Sequence, residues 1–269
     1  MMNEFAWQYG LLVLDEKRSC IQEVIINLRM KLDDEMRKLL VRGPNRPLPS
    51  VKMARILAAS FDQAASNFAF RIYEDKTFRK LVGFENLEKI EQDRVFNELV
   101  VATITLIMLT LDAKDLRTVE EMGKFFSLVR DEIPKLHRET LAGYGIEKQY
   151  LDLWDKLIAM RYRQYSEDKL EARYAAMQVE AAHNEDGTLD RNDMAGITLT
   201  VPIQTVAIGA HHHICRSKTE GKDELFLCLL RHLQKLYLEI RIPLEGGRIS
   251  PVMRLRMNIW HAWRRLFPT

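Results

Sequence analysis

Four side chains in the second half of the chain have the types and spacing of metal ligands. Glu180 and His183 are three residues apart, which puts a carboxylate and an imidazole on one face of a helix. His211 and His213 are alternate members of a histidine triplet, and alternate residues of an extended segment share a face. Imidazole, carboxylate and the nearby thiol of Cys215 suit transition metals. Glu180, His183, His211 and His213 are therefore the candidate metal ligands, with histidines at a polar edge of the core as the simpler interpretation.

Two short patterns in this region resemble parts of known metal sites. The Glu-x-x-His step at 180–183 resembles half of a ferritin-like di-iron site, but the chain has no second such step. The segment 182–193 resembles an EF-hand calcium loop with Gly187 as the invariant glycine. Ala182 then stands at the first ligand position and Asp193 replaces a bidentate glutamate. A surface pair at a helix end and an Asp-Gly turn explain both patterns without metal.

The C-terminal segment combines arginines with aromatic residues. As a helix face, this combination is suited to binding a nucleic acid, an anionic membrane surface or a groove on a partner protein. Alternatively, its apolar stripe packs on the bundle and its arginines are solvated. Residues 211–269 carry 11 Lys+Arg and 5 Asp+Glu, although the whole chain has a net charge of only +2. A second basic-aromatic cluster occupies 161–165. The candidate nucleic-acid or partner-binding residues are Arg254, Arg256, Trp260, Trp263, Arg264 and Arg265.

Helical periodicity dominates the segments that must position these residues. Apolar residues recur every three or four positions, and turns rich in proline or glycine separate the runs. Gly83 is predicted to end one helix, and Thr118 with Glu121 forms a capping box that begins another. The predicted helices cover 15–41, 51–82, 87–112, 118–143, 146–183, 223–240 and the segment after Ser250-Pro251. The run 146–183 is either one helix or two, with a second cap at 166–168.

The predicted fold is all-α, an irregular multi-helix bundle of about six to eight helices. The β-branched run before the histidine triplet predicts one extended or short β segment near 197–215. The simplest organisation is a single domain, 1–269. An alternative division has a helical bundle at 1–183, an extended excursion at 184–221 and a basic pair of helices at 222–269.

Composition indicates a soluble globular protein. Hydrophobic residues make up 47% of the 269 residues and charged residues 29%. The longest uncharged apolar run, 99–111, is shorter than the roughly 20 residues that span a bilayer, so we expect no transmembrane segment. Three cysteines without a CxxC pair indicate a reducing compartment, and the N-terminus lacks a secretory pattern. We expect a cytoplasmic protein.

No complete catalytic signature identifies an enzyme. The chain has no G-x-S-x-G elbow and no glycine-rich phosphate loop, so the sequence identifies neither catalytic residues nor a cofactor. We favour a non-enzymatic helical interaction or assembly subunit, with a protein partner or homo-oligomerisation, acting through helix faces that include the C-terminal one. The alternatives are a metal-dependent helical enzyme with a His/Glu site around 180–213 and a nucleic-acid-binding subunit of a larger complex.

Overall fold

A computed structural model describes residues 51–117, 120–183, 188–189, 191–216 and 223–245. Within these residues the chain forms seven α-helices and no strand, which confirms the predicted all-α multi-helix fold. The predicted helices at 15–41 and after Ser250-Pro251 lie outside the described residues. The helices are α1 (Val51–Glu74), α2 (Lys76–Val82), α3 (Lys89–Leu111), α4 (Glu120–Gly143), α5 (Lys148–His183), α6 (Arg191–Ile214) and α7 (Glu224–Leu244).

Helix α3 is the centre of the core. Every residue from Glu98 to Leu111 is buried, and α1, α4, α5, α6 and α7 all pack against the helix. The hydroxyls of Thr103, Thr105 and Thr110 donate to carbonyl oxygens four residues earlier, at 3.0, 2.7 and 2.7 Å. These bonds satisfy polar groups that would otherwise be costly in an apolar interior. The threonines are therefore compatible with a fully buried helix.

Helix α3 is also long and apolar enough to cross a membrane, judged by length and composition alone, and it is the one described helix of which this is true. Its most apolar window is 78% buried inside the protein, as in the core helix of a soluble protein. The described residues therefore contain no clear transmembrane segment.

The predicted helix over 51–82 is interrupted at Asp75. The side chain of Asp75 accepts a hydrogen bond from the Phe78 backbone N–H at 2.9 Å and caps the start of α2. Gly83 ends α2 with φ of 73°, as predicted, because the left-handed conformation strains residues that carry a Cβ. The short connection places α2 beside α7.

Helices α4 and α5 follow the predicted order with one difference. Helix α4 continues through Pro134 and ends at Gly143. Helix α5 runs unbroken for 36 residues, so the alternative of two helices is wrong. The Ser166 hydroxyl donates to the Tyr162 carbonyl at 2.7 Å, inside the helix, and does not begin a new one.

The predicted extended or β segment near 197–215 is wrong, because most of it belongs to helix α6. Burial explains the helix: Ile197, Val201, Val206 and Ala210 face the core at helical spacing. Helix α6 packs on α5, where a Cβ added to Gly209 would lie 2.1 Å from Cε1 of Tyr165. The glycine therefore permits close contact between the two helices.

Candidate functional site

His211 and His213 contact different parts of the protein. The Nε2 atom of buried His211 lies 2.9 Å from an Asp223 carboxylate oxygen at the start of α7. The Nε2 atom of His213 lies 3.2 Å from the side-chain oxygen of Gln164 on α5. Residues two apart on a helix point about 200° from each other, so the shared face expected of an extended segment is lost. Joint metal binding by these histidines stays a prediction without that geometric support.

The remaining predicted site residues are outside what can be described. Glu180 and His183 lie in the last turns of α5, but their side chains are not among the described ones. Residues 184–187 and 190 of the loop that resembles an EF-hand also lie outside. The C-terminal candidates Arg254, Arg256, Trp260, Trp263, Arg264 and Arg265 lie outside as well. Their proposed roles stay predictions.

A buried ion pair joins α3 to α5 beside His213. The Arg161 guanidinium lies 3.0 Å from Glu98, and their side chains are 12% and 10% exposed. Burial, reinforced by the charge of Arg161, lowers the pKa of His213 to about 4. The 161–165 cluster is thus divided, because Arg161 and Tyr165 face the core while Arg163 faces water. This arrangement favours a structural role for Arg161.

An open groove of about 970 Å³ lies between α4 and α5. At one end, the Asp112 carboxylate forms ion pairs with Arg117 at 2.9 Å and with Arg130 at 2.7 Å. It also accepts a hydrogen bond from the Tyr162 hydroxyl. Burial, with the nearby Asp112 carboxylate, raises the pKa of Tyr162 to about 12. Burial lowers the pKa of Lys169, which also lines the groove. The arginines at this end of the groove already form ion pairs with Asp112, so the charges of the groove do not indicate a particular class of ligand.

Three side chains from two separate regions converge between α2 and α7. One donor atom each of Asp75, Cys228 and His232 lies within 4.8 Å of the other two. Cys228 and His232 are four residues apart and share a face of α7, while Asp75 precedes α2. The Cys-x-x-x-His spacing was a local signal in the sequence. Its partner at position 75 is too distant in the chain to be found by spacing.

Helix α5 presents a continuous outer face to solvent. Its four exposed large apolar residues, Leu153, Met160, Leu170 and Tyr174, are 56%, 52%, 66% and 71% exposed. At about 100° per residue they fall within roughly a 100° arc. Charged residues in the same arc are also exposed. The outer face of α5 is defined here as Leu153, Lys156, Met160, Arg163, Glu167, Leu170, Glu171 and Tyr174.

Comparison with protein-family models, with curated proteins and with solved structures found no match to this chain.

Proposed function

We propose that the protein is a non-enzymatic helical assembly subunit of the cytoplasm, and that it self-associates through the outer face of α5. The single observation that carries this proposal is the exposed apolar stripe of Leu153, Met160, Leu170 and Tyr174 on one long helix. Isolated exposed apolar residues are ordinary, but an aligned row is typical of a helix that packs on another helix. The occupant we propose is α5 of a second copy.

An antiparallel pairing brings the outer faces of two copies together. A twofold axis between residues 163 and 164 places Leu153 opposite Tyr174 of the second copy, and Met160 opposite Glu167. The contact runs from Leu153 to Tyr174, which is 22 residues and roughly 32 Å of helix at 1.5 Å rise per residue. The same patch then serves both copies, as an isologous dimer interface requires.

Charge complementarity supports this register. The antiparallel pairing places Lys156 opposite Glu171 of the second copy, and symmetry repeats the pair. A parallel pairing in register would instead place each charge opposite itself. Opposite charges that face each other across a helix pair favour one relative orientation of the helices.

The test is charge reversal followed by measurement of mass in solution. Lys156→Glu creates two Glu–Glu contacts per dimer and should weaken dimerisation about tenfold or more, since each exposed pair contributes roughly 0.2–1 kcal/mol. The double variant Lys156→Glu/Glu171→Lys exchanges the charges and should restore the dimer. Lys52→Glu reverses an exposed charge on α1 and is the matched control. Light scattering after size-exclusion chromatography of the full chain gives the masses at several concentrations.

A monomeric wild-type protein at high concentration would overturn the proposal. So would a dimer that Lys156→Glu leaves unchanged, or one that the double variant fails to restore, because both would place the interface elsewhere.

The alternative function, nucleic-acid binding, requires the C-terminal arginines to contact phosphate groups. Phosphate contacts release counterions, so binding to mixed-sequence RNA or DNA should weaken steeply with added salt. Neutralising Arg254, Arg256, Arg264 and Arg265 should abolish such binding. Binding that survived the change would exclude this surface.

A further inference from the structure

We infer that Asp75, Cys228 and His232 form a binding site for a divalent transition metal of the zinc type. The three donors are a carboxylate oxygen, a sulfur and an imidazole nitrogen, and they lie within 4.8 Å of one another. This mixed set suits Zn²⁺, which takes thiolate, imidazole and carboxylate ligands. The site is independent of the outer face of α5.

The carboxylate and imidazole donors lie close to coordination distance. Tetrahedral zinc with bonds of about 2.0–2.3 Å holds its ligand atoms roughly 3.3–3.6 Å apart. Nε2 of His232 and Oδ2 of Asp75 are 3.9 Å apart. This pair must close by roughly half an ångström, which side-chain rotation can supply, and the sulfur must approach from within 4.8 Å.

The backbone holds the carboxylate in a suitable orientation. Oδ1 of Asp75 accepts the Phe78 N–H at 2.9 Å, while Oδ2 is the oxygen nearer to His232. A hydrogen bond to a ligating carboxylate fixes its direction, as outer-shell contacts do in metal sites. The N-cap of α2 therefore also positions one ligand.

The exposure of the three side chains indicates where the coordination sphere is open. Cys228 is 3% exposed, whereas the side chains of His232 and Asp75 are 23% and 27% exposed. The sulfur therefore lies at the inner end, and water reaches the other two ligands. Three protein ligands with an open fourth position give a site that can hold a water molecule.

The same residue types would also serve a thiol nucleophile with its base, but the burial argues against that role. A reacting atom must approach the sulfur to about 3–3.5 Å, and the buried Cys228 side chain leaves little room for a substrate. Metal binding requires no such access for an organic molecule. On binding, the Cys228 thiol loses its proton to solvent and its sulfur forms the bond to the metal.

Cobalt is the probe that tests this site, because a Co²⁺–thiolate bond produces a charge-transfer absorption that histidine and carboxylate ligands do not. The full chain, stripped with chelator, should take up one Co²⁺ and show this band. Replacing Cys20 and Cys215 by serine leaves Cys228 as the sole thiol and should preserve the band. Cys228→Ser should abolish it.

Asp75→Asn keeps the helix cap but removes the carboxylate, so it should weaken Co²⁺ binding about tenfold or more without unfolding α2. His212→Ala, on an exposed histidine, should leave binding unchanged. Circular dichroism confirms that each variant is folded. Absence of the band from the wild type or from the sole-thiol variant would overturn the inference, as would unchanged affinity in Asp75→Asn. Metal uptake without a thiolate band would assign the metal to other histidines and overturn it too.

Discussion

Replacing Gly209 by alanine should destabilise the protein, although alanine is normally the better residue inside a helix. A Cβ at this position would lie 2.1 Å from Cε1 and 2.8 Å from Cζ of Tyr165. Ordinary contacts between carbon atoms begin near 3.5 Å, so ring and backbone must separate by more than 1 Å. Tyr165 is 1% exposed, and buried side chains are close-packed, so moving its ring displaces its neighbours.

The size of the effect follows from two opposing contributions. Gly→Ala inside a helix gains roughly 0.5–1 kcal/mol, because alanine loses less backbone entropy on folding. Overpacking of a well-filled core costs roughly 1–3 kcal/mol, and a contact this short belongs at the upper end. We expect Gly209→Ala to lower the free energy of unfolding by about 2 kcal/mol. That corresponds to a Tm about 4–8 °C lower for a domain of this size.

Gly196 provides the matched control on the same helix. It is exposed, and a Cβ there would meet nothing within 4 Å. Gly196→Ala should therefore raise the free energy of unfolding by up to about 1 kcal/mol. Urea denaturation followed by far-UV circular dichroism measures both changes, and the midpoints should move in opposite directions.

A third variant identifies the cause of the loss. In a Tyr165→Leu background the ring is absent, so adding Gly209→Ala should cost far less than it does in the wild type. An equal cost in both backgrounds, or a stable Gly209→Ala protein, would refute the contact between α5 and α6 as described.

Two further predictions concern the buried polar residues beside this contact. Glu98→Gln leaves the Arg161 charge without its counter-charge and should lower the free energy of unfolding, measured by urea denaturation, by about 3–5 kcal/mol, whereas the double change Glu98→Leu/Arg161→Met should lower it much less. As a control, removal of the Glu120–Lys124 pair, whose side chains are 76% and 72% exposed, should change the free energy of unfolding by under about 0.5 kcal/mol. An equally small change for Glu98→Gln would contradict the reasoning. Because the pKa of His213 is lowered from 6.5 to about 4, the unfolded chain binds more protons between these pH values, so the free energy of unfolding should fall as pH drops through that window. His213→Gln should show a smaller fall between pH 7 and pH 4.5, and identical pH profiles would exclude the effect.

Sequence patterns predicted most of the helices, because the residues that form and end each helix lie within it or next to it in the chain. Gly83 ends α2 through its own left-handed backbone, and the apolar spacing around α3 and α7 is visible without a structure. The exception is α6, where the β-branched run before the histidine triplet indicated an extended segment. Packing against α3, α5 and α7 favours the helix there, since tertiary contacts outweigh weak intrinsic preferences.

The candidate sites were less predictable because they depend on long-range contacts. Asp75 and His232 are brought together only by the packing of α2 on α7. His211 and His213 looked like joint ligands because the wrong local geometry was assumed for their segment. The outer face of α5 has apolar residues at helical spacing, as a buried face does, and only the packing of the other helices shows that it stays exposed.

The burial of α3 has a consequence for the synthesis of the protein. Residues 99–111 leave the ribosome before α4 to α7, which later cover them, have been made. At about 5–20 residues per second, translating the following 133 residues to Leu244 takes roughly 7–27 s. Until α4 has been made, this 13-residue apolar segment is covered at most by earlier parts of the chain, and its cover is complete only after α7 has been made. Nascent chains should therefore benefit from chaperones that shield apolar segments, because the helix at the centre of the finished core exposes apolar surface while the protein is being made.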